Sequence, residues 1–313
     1  MAVFENSYRQ YEGGLTPEWS RFLVLARYAL RDVFGSKFFT AAFCLCFIYP
    51  LVAAILIYLH HNSNAIALLQ VDVRELLPIN ASFFQYFVEV QGWLAFILTV
   101  LVGPVLVSRD LANNGLPLYL CRPFSRAEYV LGKMTVLVVL LSLVTWVPGL
   151  VLFLLQAYLE GARWFVWNLW MAGAIFLASM TWIVLLSLLS LTVSAWVRWR
   201  VVASGALLGL FFVPSAFGEV VNELFLTRAG HLFSPGALIG NVWKGFFGTF
   251  VRETGRIQGR MSREGPFVHM EEQYVDWVLR EPPLWASWLV LALAGAFCLW
   301  LLSRKIRAYE VVK

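Results

Sequence analysis

Six stretches of this chain are too long and too apolar for a water-soluble fold. Residues 38–59, 92–107, 134–155, 171–193, 201–221 and 285–302 carry essentially no Asp, Glu, Lys or Arg away from their ends. A bilayer core about 30 Å thick requires about 20 such residues at a helical rise of about 1.5 Å each. Inside lipid every backbone amide must find its partner within the element, so each run is predicted to be a membrane-spanning helix. The second run is short, but an amphipathic lead-in from Ser82 through Phe83, Phe84, Tyr86 and Phe87 extends it to about 26 residues. That lead-in places Gln85, Glu89 and Gln91 near one interface. With 60% hydrophobic and 14% charged residues, a chain of 313 residues lacks the polar surface to coat a globule, which excludes a soluble enzyme or binding domain.

The expected organisation is one membrane domain over 1–313, all-α. It comprises an amino-terminal segment (1–37), five spans (38–221), a long outer segment (222–283), a sixth span (284–302) and a tail (303–313). Residues 1–16 are polar and the first apolar run has no small-residue cleavage site, so that run is expected to remain as an anchor. Placing both termini on one side collects fifteen basic residues there: Arg9, Arg21, Arg27, Arg31, Lys37, Arg109, Arg122, Arg126, Lys133, Arg198, Arg200, Arg304, Lys305, Arg307 and Lys313. The short loops opposite hold only Arg74 and Arg163. The positive-inside rule then puts both termini in the cytoplasm of a multi-pass protein of the cell membrane. The net charge of +5 mostly reflects this bias and is spread over four segments, which argues against nucleic acid as a partner.

Three segments on the basic side carry the informative patterns. Thr16-Pro17-Glu18 is a helix start, with Thr as N-cap and Pro at the first helical position. In the helix that follows, Trp19, Phe22, Leu23, Ala26, Leu30, Val33 and Phe34 share a face opposite Arg21, Arg27, Arg31 and Asp32. This is either a plain interfacial anchor or a helix with a mechanical role. Between spans 2 and 3, Asp110 is expected to cap a short helix interrupted at Asn113-Asn114-Gly115. Pro123 stops the next piece, and Ser125 to Glu128 forms a capping box opening span 3. The result is a stiff basic hairpin bearing Leu116, Leu118, Tyr119, Leu120 and Phe124, either a solvated loop or a docking surface. The third segment, 195–200, is short and rich in Trp and Arg. On the other side, 222–283 is long enough for its own structure, with helix-like turns around 237–247.

The spans offer no chemistry of their own. HExxH, GxSxG and paired carboxylates at helical spacing are missing, and His60, His61, His231 and His269 all map to the outer side. Cys44, Cys46, Cys121 and Cys298 show neither a CxxC nor a Cys/His cluster, so no metal or disulfide framework is expected. Ion-coupled transport requires titratable groups within the membrane, and Glu89 and Glu219 lie only near outer ends. No GxxxxGK[ST] occurs either, since Gly132-Lys133 is followed by Met134. Uphill movement of a cargo would therefore draw on a separate ATPase. Pro50, Gly103-Pro104, Pro148-Gly149 and Pro214 offer kinks within the spans.

The stretch from Leu118 to Lys133, with its Arg122-Pro123-Phe124-Ser125-Arg126-Ala127-Glu128-Tyr129 core and closing Gly132-Lys133, resembles the permease subunits of type-2 ABC exporters. So do the amino-terminal elbow helix, the six spans and the long segment before the last span. The sequence likeness is strong only over 109–133 and extends weakly to Leu232-Phe233-Ser234-Pro235. The resemblance implies a non-catalytic permease that pairs with a second permease copy and binds two copies of an ABC ATPase. ATP and Mg sit on that partner, and this chain holds no cofactor. The coupling residues it implies are Asp110, Asn113, Leu116, Tyr119, Arg122, Phe124, Arg126 and Glu128, with Trp196 and Arg198 as a second contact. Substrate would pass between spans 2 and 5, where Glu89, Pro104, Pro214 and Glu219 are candidate pathway or gate residues. Apolar spans suit a hydrophobic or amphipathic cargo. The alternatives are a membrane scaffold or assembly factor, or a polytopic lipid-modifying enzyme using Glu89, Glu219, His231 and Asp276.

Overall fold

The computed structural model describes residues 20–62, 78–112, 126–197, 199–225, 228–249, 254–255, 261–264, 267–270, 277–278 and 282–305. Its helices are α1 (Arg21–Phe34), α2 (Lys37–Leu45), α3 (Ile48–His61), α4 (Ala81–Ala112), α5 (Arg126–Val144), α6 (Trp146–Glu160), α7 (Ala162–Trp196), α8 (Arg200–Phe225), α9 (Pro235–Phe247) and α10 (Leu284–Lys305). Six helical segments are long and apolar enough to cross a membrane: Lys37–His61, Ala81–Ser108, Ala127–Glu160, Ala162–Trp196, Arg200–Phe225 and Leu284–Lys305. The protein is a multi-pass, helical membrane protein, and each span expected from the sequence lies within one of these segments. Because successive spans alternate in direction, Lys37, Ser108, Trp196, Arg200 and Lys305 gather at one end, here the near end. His61, Ala81, Glu160 and Phe225 define the far end.

The lead-in before span 2 belongs to that span: Asn80 Oδ1 accepts the amides of Ser82 and Phe83 at 3.0 and 3.2 Å, starting α4 there. Spans 1 and 3 are each built from two helices, α2 with α3 and α5 with α6. Their breaks sit just before Pro50 and Pro148, where a missing N–H leaves the carbonyl four residues back without its helical donor. In span 1 that carbonyl belongs to Cys46, and fully buried Gln91 of span 2 donates to it through Nε2 at 3.2 Å. Pro104 orphans Val100 O in the same way, and Ser204 Oγ of span 5 donates to it at 3.0 Å. Ser194 of span 4 completes the repair. Its Oγ accepts from the amides of Val107 and Ser108 at 3.1 and 2.9 Å and donates to Pro104 O at 2.7 Å. Proline is tolerated inside these spans because neighbouring helices supply the lost partners.

Helix α7 is the hub, touching α4, α5, α6, α8, α9 and α10. Close approach to α4 depends on Gly103, where a Cβ would lie 1.7 Å from Ser190 Oγ. The bundle is graded: 67% of the apolar window is buried in spans 2 and 4, but only 22%, 22% and 17% in spans 1, 5 and 6. The outer faces of those three spans, including Leu51, Val213, Phe217 and Leu293, need lipid or another protein to cover them. At the far end His61 Nε2 lies 3.2 Å from Glu160 Oε1, tying span 1 to span 3.

The 222–283 segment, expected as a separate outer structure, lies partly within the bundle. After α8 the chain reverses through a 3-10 turn (Ala229–Leu232) that presses on span 5. Cβ atoms at Gly218 and Gly230 would fall 2.4 and 2.1 Å from each other's carbonyl oxygens, so both positions require glycine. Helix α9 starts at Ser234, level with Ser215 (2.8 Å between hydroxyls), and climbs to Thr249, which donates to Gln85. Its Leu238, Ile239, Val242, Trp243 and Phe247 are buried among spans 2, 4, 5 and 6. The helix-like turns read at 237–247 are therefore a returning hairpin. Farther along are two short antiparallel strand pairs that the all-α expectation did not include: β1 (Thr254–Gly255) with β4 (Trp277–Val278), and β2 (Met261–Glu264) with β3 (Phe267–Met270).

Candidate functional site

Two cavities lie one above the other along the seam between spans 2 and 5. The far cavity, about 400 Å³, takes Glu89, Gly92 and Trp93 from α4, Phe211, Phe212, Ser215 and Glu219 from α8, Trp182 from α7 and Asn241 and Trp243 from α9. The near cavity, about 650 Å³, takes Val100, Val105, Leu106 and Asp110 from α4, Arg200, Val201 and Ser204 from α8, and Tyr28, Asp32 and Phe39 from α1 and α2. Aromatic rings separate them. Phe96 and Phe211, both buried, have centroids 4.4 Å apart, with Trp93 and Trp182 at 5.6 and 5.7 Å from Phe211 and Phe212 at 6.2 Å from Phe96. Such tilted and edge-on packing is close to the preferred geometry of aromatic pairs, so the partition is a cohesive plug.

The plug is held by indole hydrogen bonds to backbone oxygens. Trp182 Nε1 donates to Gly92 O and Trp243 Nε1 to Ala178 O, each at 2.9 Å. Both hinge-like prolines flank it. Pro104 lies below, spanned by Ser204 and Ser194 as above. Pro214 lies above in α8, where the adjacent Ser215 Oγ donates to Phe211 O at 2.7 Å. Glu89 and Glu219, far apart in sequence, face the same far cavity, while Pro104 and Pro214 line neither cavity. Glu219 Oε1 is 3.7 Å from His231 Nε2. Glu89 makes no hydrogen bond or ion pair among the described residues.

At the near end a polar clamp joins spans 2 and 3. Asp110 lies in the last turn of α4 and does not cap a separate short helix, because α4 runs on through Ala112. Its Oδ2 accepts from Tyr129 Oη at 2.7 Å and from Lys133 Nζ at 2.8 Å. The Tyr129 side chain is fully buried and the Lys133 side chain only 7% exposed. Spans 2 and 3 are thus locked together at their near ends. Helix α1 rests on the same place: a Cβ on Gly132 would meet Phe22 O and Leu25 Cδ2 at 3.0 Å. Ala26 is buried there, while Leu23 and Phe34 from the predicted apolar face stay exposed.

Of the residues read as coupling contacts, Asn113, Leu116, Tyr119, Arg122, Phe124 and Arg198 lie outside the described residues, as do Thr16 to Trp19 and Ser125 of the expected caps. The Arg126 side chain is likewise outside them; Glu128 is half-buried in the first turn of α5. Trp196 is half-exposed, with Lys305 Nζ 5.2 Å from its ring, joining the ends of spans 4 and 6. Among the described residues no group of three or more His, Cys, Asp or Glu side chains is placed to hold a metal ion, and Asp276 lies outside them. The plug residues and Asn241 were not foreseen, since aromatic rings in apolar runs give no signal that separates plug from lipid-facing surface. No protein-family model and no curated protein sequence matches the chain.

Proposed function

We propose that this chain is the permease subunit of an ATP-driven exporter of the type-2 ABC kind, working as a dimer with two separate ATPase subunits that carry ATP and Mg. The supporting observation is the clamp of Asp110, Tyr129 and Lys133, which joins the two spans that segment 113–125 connects, with α1 seated on Gly132. A load applied to the near ends of spans 2 and 3 reaches both spans and α1 as one body. Span 2 carries that load past Pro104 to the aromatic plug between the two cavities. Closure of the ATPase dimer then favours one of two packings of the span 2–span 5 seam, opening the near cavity or the far one. The half-covered faces of spans 1, 5 and 6 suit a second permease copy and surrounding lipid. In this reading the near end is cytoplasmic, as the basic bias requires, and the membrane is the cell membrane.

The test is affinity purification of the detergent-solubilised wild type and of Arg122→Glu/Arg126→Glu, scoring copurified ATPase activity. The exporter reading expects an ATPase with wild type and its loss with the variant. Absence of an ATPase in several mild detergents overturns it in favour of a scaffold. A second reading, a lipid-modifying enzyme, draws on Glu89, Glu219 and His231 sharing one cavity. It expects an ATPase-independent activity that Glu219→Gln abolishes.

A further inference from the structure

The far cavity has more hydrogen-bond acceptors than its own donors satisfy. Asn241 is 6% exposed and lines this cavity. Its Nδ2 donates to Pro282 O and Ser287 Oγ, both at 2.8 Å. Because a carbonyl can only accept, the Pro282 contact fixes which end of the amide is nitrogen. Oδ1 is therefore an acceptor, and it is buried without a donor. A buried carbonyl left in that state is destabilising, and a ligand N–H or O–H brought to it would relieve the cost. The Glu89 carboxylate, which lines the same cavity from α4, has no partner among the described residues, and among them Glu219 has only His231 at 3.7 Å. The cavity's basic side chains, Arg228, His231 and Lys244, each have further interactions.

The α9 N-terminus, which also reaches the cavity, is a poor anion site. Pro235 has no N–H, Ser234 Oγ accepts from Ala237 N at 3.2 Å and Ser234 O accepts from Leu238 N at 2.9 Å. The remaining lining is aromatic: Trp93, Trp182, Phe211, Phe212 and Trp243. With the Trp182 and Trp243 indole N–H groups committed to backbone oxygens, these residues offer ring faces and edges but little donor capacity. Ring faces and carboxylates both attract positive charge.

We infer that the far cavity is a binding site for an amphipathic organic cation, its charged or N–H-bearing end toward Glu89 and Asn241 Oδ1 and its apolar body against the tryptophans. This identifies the substrate class of the pathway and so rests on the exporter reading. Tetraphenylphosphonium and tetraphenylborate have nearly the same size and shape and opposite charge, so the pair isolates the electrostatic part. Radiolabelled probes are titrated onto the full-length chain in lipid nanodiscs, with empty nanodiscs subtracted. The expected result is saturable binding of the cation, no saturable binding of the anion, and about tenfold weaker cation binding in Glu89→Gln, as loss of a partly desolvated charge contact would give. Trp93→Leu weakens it by about threefold, the scale of one ring face at a partly exposed site. The thermal unfolding midpoint of each variant reports whether the bundle is intact. Equal binding of both ions, saturable binding of neither, or unchanged affinity in Glu89→Gln in an intact bundle overturns the site. Since no ATPase enters this assay, failure here together with ATPase copurification removes the substrate class and leaves the exporter reading standing.

Discussion

Replacing Asp110 or Lys133 singly should damage this protein more than replacing both. The two groups are 2.8 Å apart with side-chain exposures of 17% and 7%. At an effective dielectric of about 20 their gross attraction is about 6 kcal/mol, most of it offset by the cost of removing both from water. Deleting one partner loses the attraction and keeps the other group's desolvation cost. Such deletions cost about 3–5 kcal/mol in buried pairs. Asp110 retains some solvent and the Tyr129 hydroxyl, which places Lys133→Met and Asp110→Leu near the lower figure, about 3 kcal/mol each. The double variant leaves no buried charge but takes the acceptor from the Tyr129 hydroxyl, so it should lie within about 2 kcal/mol of wild type, a coupling energy of about 3 kcal/mol or more. SDS-titrated unfolding in mixed micelles, followed by tryptophan fluorescence, measures all four proteins. Single variants within about 0.5 kcal/mol of wild type, or a double variant equal to the sum of the singles, would refute the clamp. In the exporter reading the double variant is also informative, because it should fold yet transmit ATPase closure less well.

Two further pairs test the packing. Gln91→Leu should cost about 1–2 kcal/mol by stranding Cys46 O, and Pro50→Ala in the same chain should recover much of it by returning the helical N–H; thermal unfolding that shows no recovery would disprove this role for Gln91. Gly103→Ala drives a methyl into Ser190 Oγ and should cost about 1–3 kcal/mol, whereas Gly103→Ala/Ser190→Gly, which vacates both Ser190 atoms at 1.7 and 2.8 Å, should be the more stable of the two.

The six spans were legible in the sequence because crossing a bilayer is a local requirement. Residues 134–155 must be apolar whatever they pack against, and the side on which Arg122, Arg200 and Arg304 fall follows from counting. The break before Pro50 and the carbonyl freed at Val100 by Pro104 were equally local, since a missing N–H acts within one turn. Which side chain would mend each gap was not. Gln91 reads as an interface residue, and only the placement of span 2 beside span 1 makes it the donor to Cys46 O. Asp110 likewise reads as a cap until Tyr129 and Lys133 are brought to it from span 3. The same holds for the returning helix α9 and the Phe96–Phe211 plug, whose apolar residues look no different from lipid-facing ones. In lipid, helices gain little from hydrophobic burial against one another, so close packing at small residues and a few interhelical hydrogen bonds choose their neighbours. Those choices belong to pairs of distant residues. The sequence alone therefore determined the six segments, among the described residues, that are long and apolar enough to cross a membrane, and tertiary structure decided which spans meet and what the space between them can hold.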